Sequence, residues 1–410
     1  MPKLLQINVS LNYLSTGKIA EGIALVAKSY GWECYTVYSG RYSRASDFPA
    51  LMVSNRIEEY IHYAMSLFYD AQGLGSINAT KRLIKKVKSI SPDVVHLHNI
   101  HGSFINYEIL FHYLQEENIP VVWTMHDCWP FTGHCAYFDR VGCEKWKTLC
   151  HACPQKGAYP PALIDGSTRN FLRKKALFGG YKNLTMIPVS SWLGGMVSES
   201  FFKGKPIQVI HNGIDLNIFK PSTSEVRNRY MIGDRCMLLG VANGFGERKG
   251  LNDFVQLSQM LGTDYQIVLV GASDKEKRNV PQNIIVLGRT EDIQGLVDLY
   301  SAADIFLNPT YEDNFPTTNL EALACGTPVI TYCTGGSPEA IDATTGVVVE
   351  QGNIKALGEA IREMRKILEN KVGLYSPTEC RKRVETYFDK NKCFEEYVKL
   401  YDELINDNRI

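Results

Sequence analysis

"DIFLNPTYEDNFPTTNLEALACGTPVITY" occupies residues 304–332. It opens on an apolar run that reads as a strand and breaks at Pro309. A helix pattern starts at Pro316, which suits a first helical position because its missing N–H costs nothing there. Gly326 and Pro328 stop that helix, and a second apolar run follows. Strand, helix and strand in so short a stretch predict a parallel pair joined by a crossover helix.

The same rhythm extends in both directions. "KLLQINVS" (3–10) reads as a strand, and "GKIAEGIALVAKSYG" (17–31) as a helix with Ile19, Ile23, Val26 and Tyr30 on one face. "ECYTVYS", "PDVVHLH", "PVVWTMH" and "LTMIPVS" are further strands of the first half. "CMLLGVA", "QIVLVGA", "NIIVLG" and "GVVVE" complete the second. Alternating strands and helices predict α/β architecture: two doubly wound, Rossmann-like domains, each with helices on both faces of a parallel sheet.

"KPIQVIHNGIDLNIFKP" (205–221), with its Asn-Gly turn and bracketing prolines, suits a domain junction. The expected domains are 1–205 and 206–389. The final helix, about 390–410, carries Phe394, Tyr397, Tyr401 and Leu404 on one stripe. It must bury that stripe, and the first domain is the expected partner.

A chain of 410 residues is long for one core and suits two. At 45% hydrophobic and 21% charged it reads as globular, with no signal peptide and no apolar run of membrane-span length. A cytoplasmic location follows as an expectation. The net charge of zero hides an asymmetry. Residues 1–205 carry 22 Lys+Arg against 15 Asp+Glu, and residues 206–410 carry 22 against 29. The basic excess includes "TKRLIKKVKSI" (80–90) and "RNFLRKKALF" (169–178). Both mix basic and apolar residues at helical spacing, as a helix lying on anionic lipid does; a solvated face over an ordinary core stripe has the same pattern. No nucleic-acid partner is expected.

In such folds ligands bind beyond the carboxyl ends of the strands, and several polar loops fall there. Asp313 lies in the loop after "DIFLNP", and Glu321 on the second turn of the helix that follows. The N–H groups of Thr317, Thr318 and Asn319 at that helix start favour a phosphate. A carboxylate accepts two sugar hydroxyls well. "ANGFGERKG" (242–250) brings Arg248 and Lys249 to the same sheet edge, where cations neutralise a pyrophosphate. In the first half, Ser15 and Thr16 are N-cap candidates, and Gly17 allows close backbone approach to a ligand. His126 ends a strand, placed to meet a sugar oxygen or phosphate. Each residue has a plainer reading as a turn cap, a solvated charge or a buried histidine. Their common position at strand ends favours a site.

These residues carry a resemblance. "DNFPTTNLE" followed by "EALACGTPVI" (321–330), with "TGGSPEAI" (334–341), "IHNGID" (210–215), "RKG" (248–250) and "YSAADIFLNPTYED", resembles the retaining nucleotide-sugar glycosyltransferases of family four, which have the GT-B fold. "STGKIAE" (15–21) and "WTMHD" (123–127) extend it to the first domain. The resemblance implies two domains facing across a cleft, with the acceptor side in the first and the nucleotide-sugar site in the second. It implies that Glu321 holds the ribose and Asp313 the transferred sugar. The Phe315, Pro316 and Thr317 backbone would line sugar and phosphate, and Lys249 would bind the pyrophosphate. Gly17 would approach that pyrophosphate, and His126 would contact an outer sugar hydroxyl. Asp313, His126 and Lys249 are then the catalytic candidates.

The implied reaction moves a hexosyl-type sugar from a UDP- or GDP-type donor to a glycan or lipid-linked acceptor in surface polysaccharide synthesis. It needs no metal or cofactor for catalysis. Two departures stand out. Asp313 replaces the family's usual Glu, with Glu312 beside it as a substitute. The family's basic residue six positions before the Lys is Asn243, and Arg248 is the candidate to replace its charge. A non-catalytic nucleotide-sugar-binding scaffold and a glycoside hydrolase, which also uses two carboxylates, remain the competing classes.

"HDCWPFTGHCAYFDRVGCEKWKTLCHACPQK" (126–156) holds five of the eleven cysteines. Cys135, Cys143, Cys150 and Cys153 end in a Cys-x2-Cys knuckle and have the density of one structural zinc, with His134 and His151 as spare ligands. Free thiols are the alternative. The stretch is expected to be an insertion in the first domain, about 128–156.

Overall fold

The computed structural model describes residues 1–370 and 373–407. The chain forms two compact units. Unit 1 is Met1–His211 together with the segment from Cys393 onward, and unit 2 is Asn212–Lys392.

Unit 1 is built on six parallel strands: β1 (Lys3–Ile7), β2 (Glu33–Tyr38), β3 (Ala50–Met52), β4 (Val94–Leu97), β5 (Val121–Met125) and β6 (Leu184–Pro188). Their order is β3-β2-β1-β4-β5-β6. Every residue of β4, β5 and β6 is buried, as a sheet covered on both faces requires. β3 is a short edge strand that the sequence pattern did not announce.

The Leu14–Ser29 helix buries Ile19, Ile23 and Val26, but Tyr30 beyond its end is exposed. The Lys390–Asp407 helix supplies Phe394, Tyr397, Val398 and Tyr401 to the same core as Leu4, Ile23 and Val94. Its two tyrosines also make polar contacts in the sheet. Tyr401 OH lies 2.6 Å from His96 Nδ1, and Thr124 Oγ1 donates to Tyr397 OH at 3.0 Å. The cysteine-rich stretch contains three short 3-10 turns, Trp129–Phe131, Asp139–Val141 and Lys145–Lys147.

Unit 2 repeats the plan with β7 (Cys236–Val241), β8 (Tyr265–Val270), β9 (Ile284–Leu287), β10 (Ile305–Asn308), β11 (Val329–Tyr332) and β12 (Gly346–Val349). All pairs are parallel, in the order β9-β8-β7-β10-β11-β12. In both units the strand order reverses beside the first strand, between β1 and β4 and between β7 and β10. Loops leaving the carboxyl ends of two such strands diverge to opposite faces and leave a crevice where ligands bind. The polar loops after β1, β7 and β10 therefore leave switch-point strands, whereas His126 follows β5, one strand beyond. Among the described residues, no helix is long and apolar enough to cross a membrane.

Candidate functional site

The loops after β7 and β10 are joined by backbone. Tyr311 N donates to Arg248 O at 2.8 Å, and Arg248 Nη1 donates to Glu312 O at 3.1 Å. Gly250, at φ +68°, lies so close to the second loop that a Cβ there would sit 2.2 Å from Pro309 O. On this base Lys249 Nζ lies 2.5 Å from Asp313 Oδ2, both side chains being about four-fifths buried. Glu312 is buried, so of the two adjacent acids Asp313 is the more accessible.

The Thr317–Ala324 helix starts one residue later than expected: Pro316 is its N-cap, and no side chain caps it. Asn319 N–H bonds to Pro316 O at 3.2 Å, so it is not available to a phosphate as the sequence suggested. Thr317 and Thr318 are the remaining donors of the three. Asn319 is fixed from its side chain as well, accepting from Asn308 Nδ2 at 2.8 Å and donating to Ser337 O at 3.2 Å. Glu321 is half-buried. Its Oε2 accepts from Tyr300 OH at 2.8 Å and its Oε1 from Thr317 Oγ1 at 3.4 Å. Burial, then the Glu321 charge, pushes the Tyr300 hydroxyl well above its usual pKa, so it stays a donor to the carboxylate. Phe315 is buried, its ring 5.7 Å from that of Phe388.

A cation that the sequence reading missed stands beside Asn243. Arg289 Nη2, from the loop after β9, hydrogen-bonds to Asn243 Oδ1. Arg248, the candidate to replace the charge missing at position 243, donates from Nη1 to the Glu312 carbonyl at 3.1 Å.

In unit 1, Gly17 lies inside the Leu14–Ser29 helix, and a Cβ there would meet Ser10 Oγ at 2.7 Å. Packing against Ser10 thus gives this glycine a reason independent of any ligand. Ser15 and Thr16 are not caps, because the N-cap is Tyr13. His126, itself half-buried, joins a chain that leads into the core: its Nε2 lies 3.1 Å from the buried His98 Nδ1, and His98 Nε2 lies 2.9 Å from Gln6 Oε1. Desolvation pushes the His126 pKa down to about 4, against the opposing pull of Asp127. It is therefore neutral at pH 7. His101 Nε2 lies 2.7 Å from Asp127 Oδ2, and its Nδ1 lies 3.1 Å from Tyr159 OH. "VVHLHNIH" (94–101) signalled this group, because His96 and His98 fall on one face of a strand.

No disulfide joins the cysteines, all of which lie among the described residues. Among the described residues, no three His, Cys, Asp or Glu side chains stand ready to hold a metal ion, so the expected four-thiolate set is not preformed. Cys135 and Cys153 hydrogen-bond to each other instead, and Cys150 Sγ accepts from Gly133 N at 3.2 Å.

Two family profiles match the chain in succession: "Glycosyltransferase Family 4" over residues 31–218 and "Glycosyl transferases group 1" over residues 226–384. The chain is similar over its whole length to the putative colanic acid biosynthesis glycosyl transferase WcaC of Escherichia coli K12. That relative is 24% identical over 98% of this chain and 100% of its own. Among solved structures, a sucrose-phosphate synthase from Thermosynechococcus elongatus superposes with a TM-score of 0.70 at 18% identity, covering 99% of this chain and 100% of its own. Anabaena HepE in complex with UDP-glucose superposes with a TM-score of 0.66 at 14% identity, covering 98% and 99%. Matching profiles across both units, together with the shared fold, identify the chain as a member of the family-four glycosyltransferases, retaining enzymes of the GT-B fold.

Proposed function

We propose that unit 2 binds a nucleoside diphosphate sugar at the β7/β10 switch point and that the enzyme transfers the sugar to a glycan or lipid-linked acceptor of a surface polysaccharide. The observation that carries this reading is the stitched pair of loops that sets Lys249 beside Asp313, next to a helix start without a side-chain cap. Lys249, Arg289 and the Thr317 and Thr318 amides supply positive potential for the diphosphate. Glu321, oriented by Tyr300, accepts the ribose hydroxyls, and Asp313 accepts hydroxyls of the sugar. On unit 1, the family pattern also implies donor-contact roles for Gly17 and His126, which are kept here as candidates.

The chemistry follows from charge. The bond from the anomeric carbon to the β-phosphate oxygen breaks, and the cations stabilise the departing diphosphate. The acceptor hydroxyl attacks from the same face, forms the new C–O bond and passes its proton to a phosphate oxygen. The product retains the anomeric configuration. Any zinc at the cysteines is structural and takes no part in this transfer.

The HepE complex makes UDP-glucose the first donor to try, with GDP sugars as the alternative. The WcaC likeness supports a polysaccharide-biosynthesis setting, and a cytoplasmic location is part of this proposal. For peripheral contact with anionic lipid, the Arg56–Tyr69 helix would offer exposed apolar side chains, while the basic ones come from the Ile77–Ile90 helix, tied to it by Arg82 and Glu58. The Ile77–Ile90 helix turns Leu83 and Val87 into the core, whereas Ile57, Tyr60, Ile61 and Phe68 of the Arg56–Tyr69 helix are exposed. Co-sedimentation with phosphatidylglycerol vesicles would detect that contact.

The deciding experiment is a thermal-shift screen of the purified chain against UDP, GDP, ADP and their sugars, with Glu321→Ala as control. A ligand of the native state raises the melting temperature. A rise with one nucleotide, lost in the variant, supports the reading. No rise with any nucleotide, from a folded sample, overturns it.

A further inference from the structure

His134 in unit 1 is 2% exposed. Its Nδ1 lies 2.7 Å from Asp70 Oδ1, while its Nε2 is buried without a hydrogen-bond partner. A buried ring nitrogen left without a partner costs stability, so such an atom calls for an explanation. Asp70 supplies one half of it. A carboxylate at Nδ1 fixes the proton there and leaves the Nε2 lone pair exposed, as in a histidine that ligates a metal. Asp70 is itself held, its Oδ2 accepting from Gly166 N at 2.9 Å.

The surroundings supply the other half. His134 lines a small pocket, with room for about one water-sized sphere, together with Cys135, Cys143, Cys150 and Cys153. Thiolates and imidazole are the ligands zinc prefers. Buried thiolates need compensation, and Lys174 is close at hand. It is 1% exposed, its Nζ donates to Trp129 O at 2.7 Å and Thr132 O at 3.2 Å, and it interacts electrostatically with Cys135 and Cys150. Cys150 and Cys153 form the Cys-x2-Cys knuckle, and Cys135 already hydrogen-bonds to Cys153.

We propose that this pocket binds one structural zinc ion through His134 Nε2 and the thiolates of Cys135, Cys150 and Cys153, with Asp70 as the positioning residue for the histidine. This differs from the four-cysteine set read from spacing, because the structure singles out His134. The thiols now bond to one another and to Gly133, so the side chains must turn to converge. Binding releases the thiol protons and exchanges the Cys135–Cys153 hydrogen bond for metal bonds. The centre would fasten the stretch from Trp129 to Pro154 to the Asp70 end of the Arg56–Tyr69 helix.

The test uses the full chain, purified without chelator, with zinc counted by mass spectrometry and by release to a chromogenic chelator. About one zinc per chain is expected, and a Cys150→Ser/Cys153→Ser variant should lose it. His134→Gln should also lose it, and Asp70→Asn should weaken zinc affinity about 10–100-fold. Cobalt substitution should give the absorption of a tetrahedral centre with three sulfur ligands. Wild-type protein treated with chelator should melt at a lower temperature and recover on adding zinc, which keeps the test valid where a variant misfolds. A chain that holds no zinc, and does not change its melting temperature with added zinc, overturns the proposal. Zinc retained in His134→Gln but lost in Cys143→Ser overturns the role of His134 in favour of four cysteines.

Discussion

Lys249 Nζ and Asp313 Oδ2 stand 2.5 Å apart, one residue from each of the two loops that leave the switch point of unit 2. The pair preorganises the donor site, because each charge holds the other in place before a diphosphate arrives. Lys249→Ala should lower kcat/KM about 10–100-fold, the worth of one charge-assisted hydrogen bond. Asp313→Asn should lower it to a similar degree while leaving the affinity for the free nucleoside diphosphate nearly unchanged. Steady-state kinetics with the donor identified by thermal shift, together with nucleotide titration, separates the two effects.

Arg289 and Asn243 give a second prediction. If the Arg289 guanidinium supplies the charge missing at position 243, Arg289→Ala should weaken nucleoside diphosphate binding about tenfold and spare the nucleoside. Adding Asn243→Lys to that variant should restore most of the loss. Calorimetric titration of the single and double variants measures both. An Arg289→Ala protein that binds as tightly as wild type removes this residue from the site.

Gly250 tests the join between the loops. An alanine there meets Pro309 O at 2.2 Å and must hold a φ of +68°. Left-handed backbone alone costs a non-glycine residue about 1 kcal/mol, and the clash adds to it. Gly250→Ala should lower the melting temperature by several degrees and reduce donor affinity. Gly262→Ala, where a Cβ meets nothing within 4 Å, is the control expected to leave both unchanged.

His62 sets a pH limit for unit 1. Its Nε2 accepts from Gly73 N at 3.1 Å and Gly75 N at 3.0 Å, so the ring must be neutral, with its proton on Nδ1 facing Ser76 Oγ at 2.9 Å. Burial holds its pKa down to about 4, from an ordinary 6.5. Between those values the unfolded chain binds the extra proton. The contribution is therefore complete above pH 6.5 and is lost as the pH falls toward 4, by on the order of 3 kcal/mol. Urea unfolding of wild type and His62→Gln across that range checks the sign. The variant should be less stable at pH 7 and show a shallower slope.

The sequence carried the architecture because buried parallel strands are written as apolar runs between turn signals, as in "VVWTM" and "IVLV". The Ala50–Met52 strand escaped because it is three residues long and follows Pro49 at a sheet edge. Lys249, Asp313 and Glu321 were legible because strand ends and helix starts are local features. Arg289 was not, since it reaches Asn243 from 46 residues away. The helix start misled by one residue, because Pro316 has the φ expected of a first helical residue but serves as the cap. His134 read as a spare ligand until its Nδ1 was seen on Asp70, 64 residues distant, which no spacing argument encodes.

Tyr397 and Tyr401 reach back to Thr124 and His96 over sequence separations of 273 and 305 residues. The whole of unit 2 is encoded in between. On a ribosome, the chain of unit 1 emerges first yet waits for its closing helix until every strand of unit 2 has been made. Unit 2 needs no such later segment. During synthesis unit 1 should therefore stay open, its His96 face uncovered, until the end of the chain has been made.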